Sequence, residues 1–432
     1  MNKLTTRNRI LVGLTLFSMF FGAGNLIFPP FLGALAGTNT WVAMAGFALT
    51  AVGIPVLGII AIAESGGLKH LAGWVHPKFA SIFILLVYLS IGPGLAIPRT
   101  ASTSFEMAVK PFMEVGAVGQ LVYSVVFFAV AFLVALNPDK LTQKLGKILT
   151  PCLLTLIFIL FVGCLINPVG PYGAATGPYA ADPLSRGFLE GYQTMDTLAA
   201  LNFGLVIAMN IRAFGVQDED AVVHETINAG LIAGGLLVAV YAALAHIGAM
   251  AGGNLGEMSN GADTLTLLAN YLFGKAGMVL LGIIFVIACL NTCIGLISCC
   301  SNYFCTILPQ PGYVGWAAIF AIVSMVVSNA GLNRILLISV PILNAIYPVA
   351  IVLIALALIQ KFIGKYRYVY KTTIFLTALT SITAALSQSN IRIPVLAAAV
   401  EHMPLFELGL EWIFPAVVGL GIGCCLHNPK AD

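Results

Sequence analysis

The sequence predicts an all-α integral membrane protein of about twelve transmembrane helices, forming a single transmembrane domain over residues 1–432. Three observations carry that expectation. The chain is 59% hydrophobic and 9% charged, against about 25% charged residues in an ordinary soluble domain. Its apolar stretches run to about 20 residues each, the length a helix needs to cross a hydrocarbon core and longer than a barrel strand. Two of them are interrupted by glycine or amide residues, which a plain lipid-facing span does not use.

Taken in order, the spans fall near 10–34, 41–63, 79–99, 117–136, 148–167, 190–213, 226–250, 276–304, 313–330, 335–359, 372–388 and 410–427. The first follows Lys3, Arg7 and Arg9, and its length and the spans behind it mark it as retained rather than cleaved. Longer connections are the Pro/Gly-rich 168–187, the glycine-rich 251–275, and 389–409. With the N-terminus inside and the chain reversing at each span, fourteen of the 20 Lys and Arg fall on the inner side. Both termini are therefore expected in the cytoplasm. The sixth-to-seventh connection is acidic (Asp218, Glu219, Asp220, Glu225), but acidic residues weigh little in that rule.

Other classes find no support. A net charge of +3 gives no reason for a nucleic-acid partner. A Walker-type loop is missing, so direct ATP coupling is not expected. Neither a Ser/His/Asp constellation nor a metal-ligand constellation marks an enzyme or a cofactor. The nine cysteines lie in or beside apolar segments. Cys289/Cys293 and Cys299/Cys300 have metal-like spacing, yet no neighbouring histidine or carboxylate completes a site, so they read as small packing residues.

The first span holds FSMFFGAGNLIFPP, Phe17 to Pro30. Each glycine weakens a helix by about 1 kcal/mol relative to alanine, and each proline by about 3. In a bilayer core the freed backbone groups must be buried in protein or line a cavity. A helix broken around Gly22–Asn25 follows, with backbone groups that bind a ligand. The sixth span carries Asn202, Phe203 and Gly204 in mid-segment, with Asp196 two turns earlier. An odd number of spans, five, separates the two starts, so the second group enters the membrane from the opposite side. That predicts a five-plus-five inverted repeat, about 10–167 and about 190–359, with helices eleven and twelve (about 372–427) outside it.

Further polar residues sit inside spans. Asn291 and Thr292 lie side by side in the apolar eighth span. They either bond to preceding carbonyls or, joined to the first break, hold a cation. Asp196 is either a helix-start carboxylate or a functional group, since intramembrane ionisable residues are costly. Arg99 and Glu106, seven apart near the outer end of the third span, are candidates for a gate, an interfacial pair or substrate contact. Glu64 reads as interfacial, and His246 as a structural histidine or a proton relay.

GAGNLIFPP (Gly22–Pro30), IGPGLAIPRTASTSFE (Ile91–Glu106), TMDTLAALNFG (Thr194–Gly204) and ACLNTCIGLIS (Ala288–Ser298) together resemble the bacterial branched-chain amino acid:cation symporters, the system II carriers. The resemblance runs over essentially the whole chain. It implies the LeuT-type fold of the amino acid–polyamine–cation superfamily, with broken helices 1 and 6. It also implies sodium-coupled uptake of leucine, isoleucine and valine across the bacterial cytoplasmic (inner) membrane. By the same match, Ala23 and Gly24 hold the substrate carboxylate, with Asn25 nearby, and Leu201, Asn202, Phe203 and Gly204 complete the substrate site. Sodium is expected among the carbonyls of Ser18, Phe21 and Ala288 and the side chains of Asn291 and Thr292. One departure is an amide, Asn291, where a hydroxyl is usual. An apolar pocket separates such side chains by only about 1–3 kcal/mol per methylene, so overlapping recognition is expected.

Overall fold

A computed structural model describes residues 3–114, 116–136, 138–256 and 258–426, with the side chains of 138–150 excepted. The described residues are all-helical. In chain order the helices are α1 (Thr6–Phe20), α2 (Ala23–Ala36), α3 (Thr40–Ala48), α4 (Ile54–Ser65), α5 (Leu68–Gly73), α6 (Pro77–Leu89), α7 (Ala96–Ala108), α8 (Ala117–Ala135), α9 (Pro138–Ile166) and α10 (Pro178–Ala181). They continue as α11 (Pro183–Glu190), α12 (Asp196–Ala213), α13 (Glu219–Ala251), α14 (Gly261–Ile307), α15 (Gly312–Ser328), α16 (Leu332–Leu358), α17 (Gln360–Ile363), α18 (Val369–Gln388), α19 (Pro394–Glu401) and α20 (Ile413–Cys425).

By length and apolar composition, seven helical stretches among the described residues can cross a bilayer, or eight if the bent pair ending in α12 is one span. Helix length alone therefore does not reproduce the count of twelve. Several expected spans are divided or short: α1 and α2 have 15 and 14 residues, and the apolar helices Pro151–Ile166, Gly312–Ser328 and Ile413–Cys425 are shorter than a full crossing. Outward-facing side chains such as Val126, Phe158 and Leu337 are apolar and exposed, as a lipid-facing surface requires.

The first break lies at Phe21 and Gly22, where the backbone leaves helical geometry (ψ 89° and −170°). The proline pair does not end the helix, because Pro29 and Pro30 sit inside α2. Their segment is held by close packing on α13: a Cβ on Gly33 would lie 2.0 Å from the Ala245 carbonyl oxygen, and one on Gly248 would lie 2.0 Å from that of Pro30. Small residues on both helices allow that approach.

The second break is not at Asn202–Gly204. Helix α12 runs unbroken through those residues. The chain turns at a short 3-10 segment, Gly191–Thr194, and at Met195, which is left-handed (φ 63°, ψ 12°). The segments on either side meet at 51°. Gly204 serves packing instead: a Cβ there would lie 2.7 Å from the Ile62 Cβ on α4.

The third expected span also changes. It continues past Arg99 through a kink at Gly92 (ψ −129°) and Pro93, so that Pro77–Ala108 forms one kinked stretch. The polar run after Arg99 reads as a departure from the membrane, but it is buried in α7. Three of its four hydroxyls donate to backbone carbonyls: Thr100 to Ile97 at 2.6 Å, Ser104 to Ala101 at 2.9 Å, and Ser102 to Ser328 at 2.9 Å. Such bonds let Ser and Thr sit inside a helix bundle.

The connections carry helices too: α10 and the start of α11 within 168–187, the start of α14 within 251–275 before a kink at Gly274 (φ 60°), and α19 within 389–409. The acidic run at 218–220 starts α13. Asp218 accepts from the Ala221 N–H at 2.9 Å, and Glu219 and Asp220 sit in the first turn, where the helix dipole favours negative charge. Around the centre, α2 packs on α13, α7 on α14, α4 on α12 and α1 on α13.

Candidate functional site

The two breaks meet through side chains. Asn25, in the first turn of α2, is 2% exposed. Its Oδ1 accepts from the Gly22 N–H at 3.2 Å, capping the helix start that the break creates. Its Nδ2 donates to Asp196 Oδ2 at 2.5 Å and to the Tyr241 hydroxyl. Tyr241, on α13, donates in turn to the same Asp196 oxygen at 3.3 Å. The amide thus has all its groups engaged, and residues 171 apart in the chain are tied into one buried triangle. Asp196 opens α12, and its N–H donates to Thr194 Oγ1 at 3.4 Å.

Arg99 joins this centre from α7. It is 4% exposed. Its Nη1 donates to the Gln193 carbonyl at 2.6 Å, on the segment just before the second break. The guanidinium lies over the Phe28 ring, 5.2 Å from its centroid. It also abuts Gly24, where a Cβ would lie 2.7 Å from Nη2. Gly24 is therefore small because a charged group occupies the space a side chain would fill. Glu106 is not part of this centre: it pairs with Lys110 at 2.6 Å, and that hydrogen bond raises the lysine pKa.

The expected cation ligands are brought partly together. On α14, Thr292 Oγ1 donates to the Ala288 carbonyl at 3.1 Å. Asn291 Oδ1 is buried with no hydrogen-bond donor among the described residues. A Cβ on Gly22 would lie 3.5–3.6 Å from Thr292, so the first break rests directly against this helix. Phe21 is buried and stacks on Phe17 at 5.0 Å, and Ser18 lies half-buried on the last turn of α1. Ala23 is buried among Cys289 and Cys293.

Of the sixth-span residues, Phe203 meets Phe20 at 5.6 Å between centroids, beside the first break. Leu201 is buried in the neighbouring cluster with Tyr192 and Tyr347. Asn202 donates to the Leu198 carbonyl at 3.5 Å, within its own helix. Away from the centre, His246 shares a 2.6 Å hydrogen bond with the Tyr172 hydroxyl. Glu64 is exposed and lines a cavity of about 320 Å³ with Ser65, His70, Leu205, Arg212 and Glu219. All nine cysteines are free thiols.

Sequence reasoning missed Tyr241, Gln193, Thr194 and Met195. Tyr241 did carry a signal, a hydroxyl in the middle of an apolar 33-residue helix that needs a partner. Met195 carried none, since methionine gives no warning of a left-handed backbone.

Two broken helices that meet at a buried polar centre define a multi-pass membrane transporter of the LeuT type. The structure described as the inward-facing conformation of Mhp1 matches with a TM-score of 0.63 at 12% identity, covering 99% of this chain and 94% of that one. A manganese transporter of Eremococcus coleocola matches with a TM-score of 0.59 at 13% identity, covering 97% and 96%. The chain belongs to the branched-chain amino acid transport protein family, whose model matches residues 5–430. It is 41% identical to the branched-chain amino acid permease BraB of Bacillus subtilis, over 98% of this chain and 96% of that one. It is 39% identical to the branched-chain amino acid transport system 2 carrier protein of Pseudomonas aeruginosa, over 95% and 94%. These relatives are permeases and carriers, so the family is one of transporters and not of enzymes.

Proposed function

We propose that this chain is a sodium-coupled symporter that imports leucine, isoleucine and valine by alternating access, with both termini in the cytoplasm and the protein in the bacterial inner membrane. The substrate class comes from the family and from the names of its relatives. The observation that carries the sodium reading is the contact between the first break and α14, where Asn291 Oδ1 is a buried oxygen with no donor. A hard cation takes oxygen ligands, and backbone released at a broken helix supplies more. In this reading Ser18, Phe21, Ala288, Asn291 and Thr292 hold the ion. Ala23, Gly24, Leu201 and Phe203 lie along the substrate path, and alternating access works around the two breaks.

A proton-coupled carrier of the same fold is the second reading, favoured by one observation: a carboxylate, Asp196, buried at the centre. Leucine uptake into proteoliposomes, with a sodium gradient and no pH gradient, separates the two. Uptake is expected to require sodium, and unchanged uptake with choline in its place would overturn the sodium reading. Thr292→Ala should raise the half-saturating sodium concentration about tenfold, the loss of one ligand worth about 1.4 kcal/mol. Leucine binding at saturating sodium should change little. An unaltered sodium response removes Thr292 from the site.

A further inference from the structure

A membrane-embedded centre that holds one arginine and one aspartate has a simple default explanation, in which the two neutralise each other in a direct ion pair. The geometry here is different. Among the described residues, Arg99 and Asp196 do not form an ion pair within 4.0 Å. Each is instead oriented by neutral partners. Arg99 is held by the Gln193 carbonyl and the Phe28 ring, and Asp196 by Asn25 and Tyr241. They remain close, because Arg99 is bonded to the carbonyl of Gln193, three residues before Asp196. The guanidinium has five N–H donors, and its hydrogen bond among the described residues is the one to Gln193. Arg99 is buried, and burial makes an unmatched charge costly.

Resting on the amino acid substrate read above, we propose that Arg99 binds the substrate carboxylate and Asp196 binds its ammonium group, so that two side-chain charges recognise the zwitterion. Helix ends alone do not supply this recognition. Gly24 fits that role. It has no side chain, so the guanidinium lies against the start of α2, where backbone N–H groups also favour an anion. The carboxylate is then shared between Arg99 and the helix start. Asn25 and Tyr241 position Asp196 toward the ammonium. The arrangement is selective by charge balance. The site holds one positive and one negative group, and a zwitterion preserves that balance. An amine without a carboxylate, or a carboxylate without an amine, leaves one buried charge unmatched.

The test compares ligands as well as variants. Competition against radiolabelled leucine is measured for three compounds: unlabelled leucine, leucinol (no carboxylate) and 4-methylpentanoate (no amine). The wild type should bind each analogue about ten- to a hundredfold more weakly than leucine, the value of one charge-assisted hydrogen bond. In Arg99→Gln the leucine-to-leucinol ratio should fall to near one, while discrimination against 4-methylpentanoate persists. Asp196→Asn should show the reverse. Arg99→Lys, which keeps the charge, should retain discrimination against leucinol with weaker leucine binding. Thermal unfolding in detergent establishes that each variant is folded. If folded Arg99→Gln keeps the wild-type ratio, the proposal is overturned. Loss of all binding in folded Arg99→Gln and Arg99→Lys also overturns it, since Arg99 is then a structural support. If the wild type itself neither binds nor transports leucine, the failure lies in the substrate reading, before any ratio is compared.

Discussion

The two broken spans reach the same result by opposite chemical routes. The first uses glycines and an amide: Gly22 is extended, Gly24 admits a guanidinium, and Asn25 caps the new helix start. The second uses ordinary residues, with a left-handed methionine between a 3-10 turn and α12. In the first break the missing side chains make room for a neighbour. In the second the side chain is itself buried and anchors the bend: Met195 is 3% exposed, in a cluster with Tyr192, Leu198 and Tyr347. A break can therefore be built either by removing atoms or by packing them, and only the first kind is visible in composition.

The largest expected effect lies at Gly24. Leucine there must displace the Arg99 guanidinium, whose Nη2 would be 2.7 Å from the new Cβ and whose Cζ would be 3.2 Å away. Gly24→Leu should lower leucine uptake at least about a hundredfold, equivalent to about 3 kcal/mol and the upper range for a hydrogen bond to a charged group. Membrane levels by immunoblot should be unchanged. Gly24→Ala should lose less, because its methyl meets the far end of a flexible side chain. Normal uptake in the leucine variant would reduce the first break to a packing feature.

Met195 tests the other construction, and two effects oppose each other there. Glycine would relieve a left-handed conformation that costs about 1–2 kcal/mol for other residues. It would also delete a buried side chain, a loss of about 2–5 kcal/mol. The second effect is larger, so Met195→Gly should lower thermal stability in detergent by about 1–3 kcal/mol. A raised melting temperature would mean that backbone strain, not packing, dominates at this bend.

This contrast also explains how much was legible beforehand. The helical class and the break near Gly22 follow from residue types whose cost in a membrane is large and specific. For the second break, residue types point about two turns beyond the observed bend at Met195. Asn202 and Gly204 look like a disturbance, but one bonds within its own helix and the other packs on Ile62. By hydropathy the third span ends at Arg99, because PRTASTSFE is polar. Three of its four hydroxyls, those of Thr100, Ser102 and Ser104, are satisfied by carbonyls of its own and a neighbouring helix, which a hydropathy reading cannot register. Arg99, which hydropathy puts near the outer end of the span, is instead buried at the centre. Tertiary partners decide these cases, and the partners lie up to 226 residues away.

The smallest effect should be the most instructive, because it concerns the glycine at the first break itself. Gly22 has φ −119° and ψ −170°, an extended conformation open to any residue. An added Cβ would meet Thr292 at 3.5 and 3.6 Å and Asn25 Oδ1 at 3.7 Å, which are ordinary contacts. In this conformation nothing requires glycine, and Gly22→Ala should leave uptake within about twofold, a change below about 0.5 kcal/mol. The measurement is the initial rate of leucine uptake at saturating sodium. A loss greater than tenfold would carry a specific meaning, since the static contacts tolerate the methyl. The unwound segment would then have to pass during transport through a left-handed backbone that only glycine reaches cheaply. The first break would be a moving hinge and the second, fixed by the packed Met195, a rigid one.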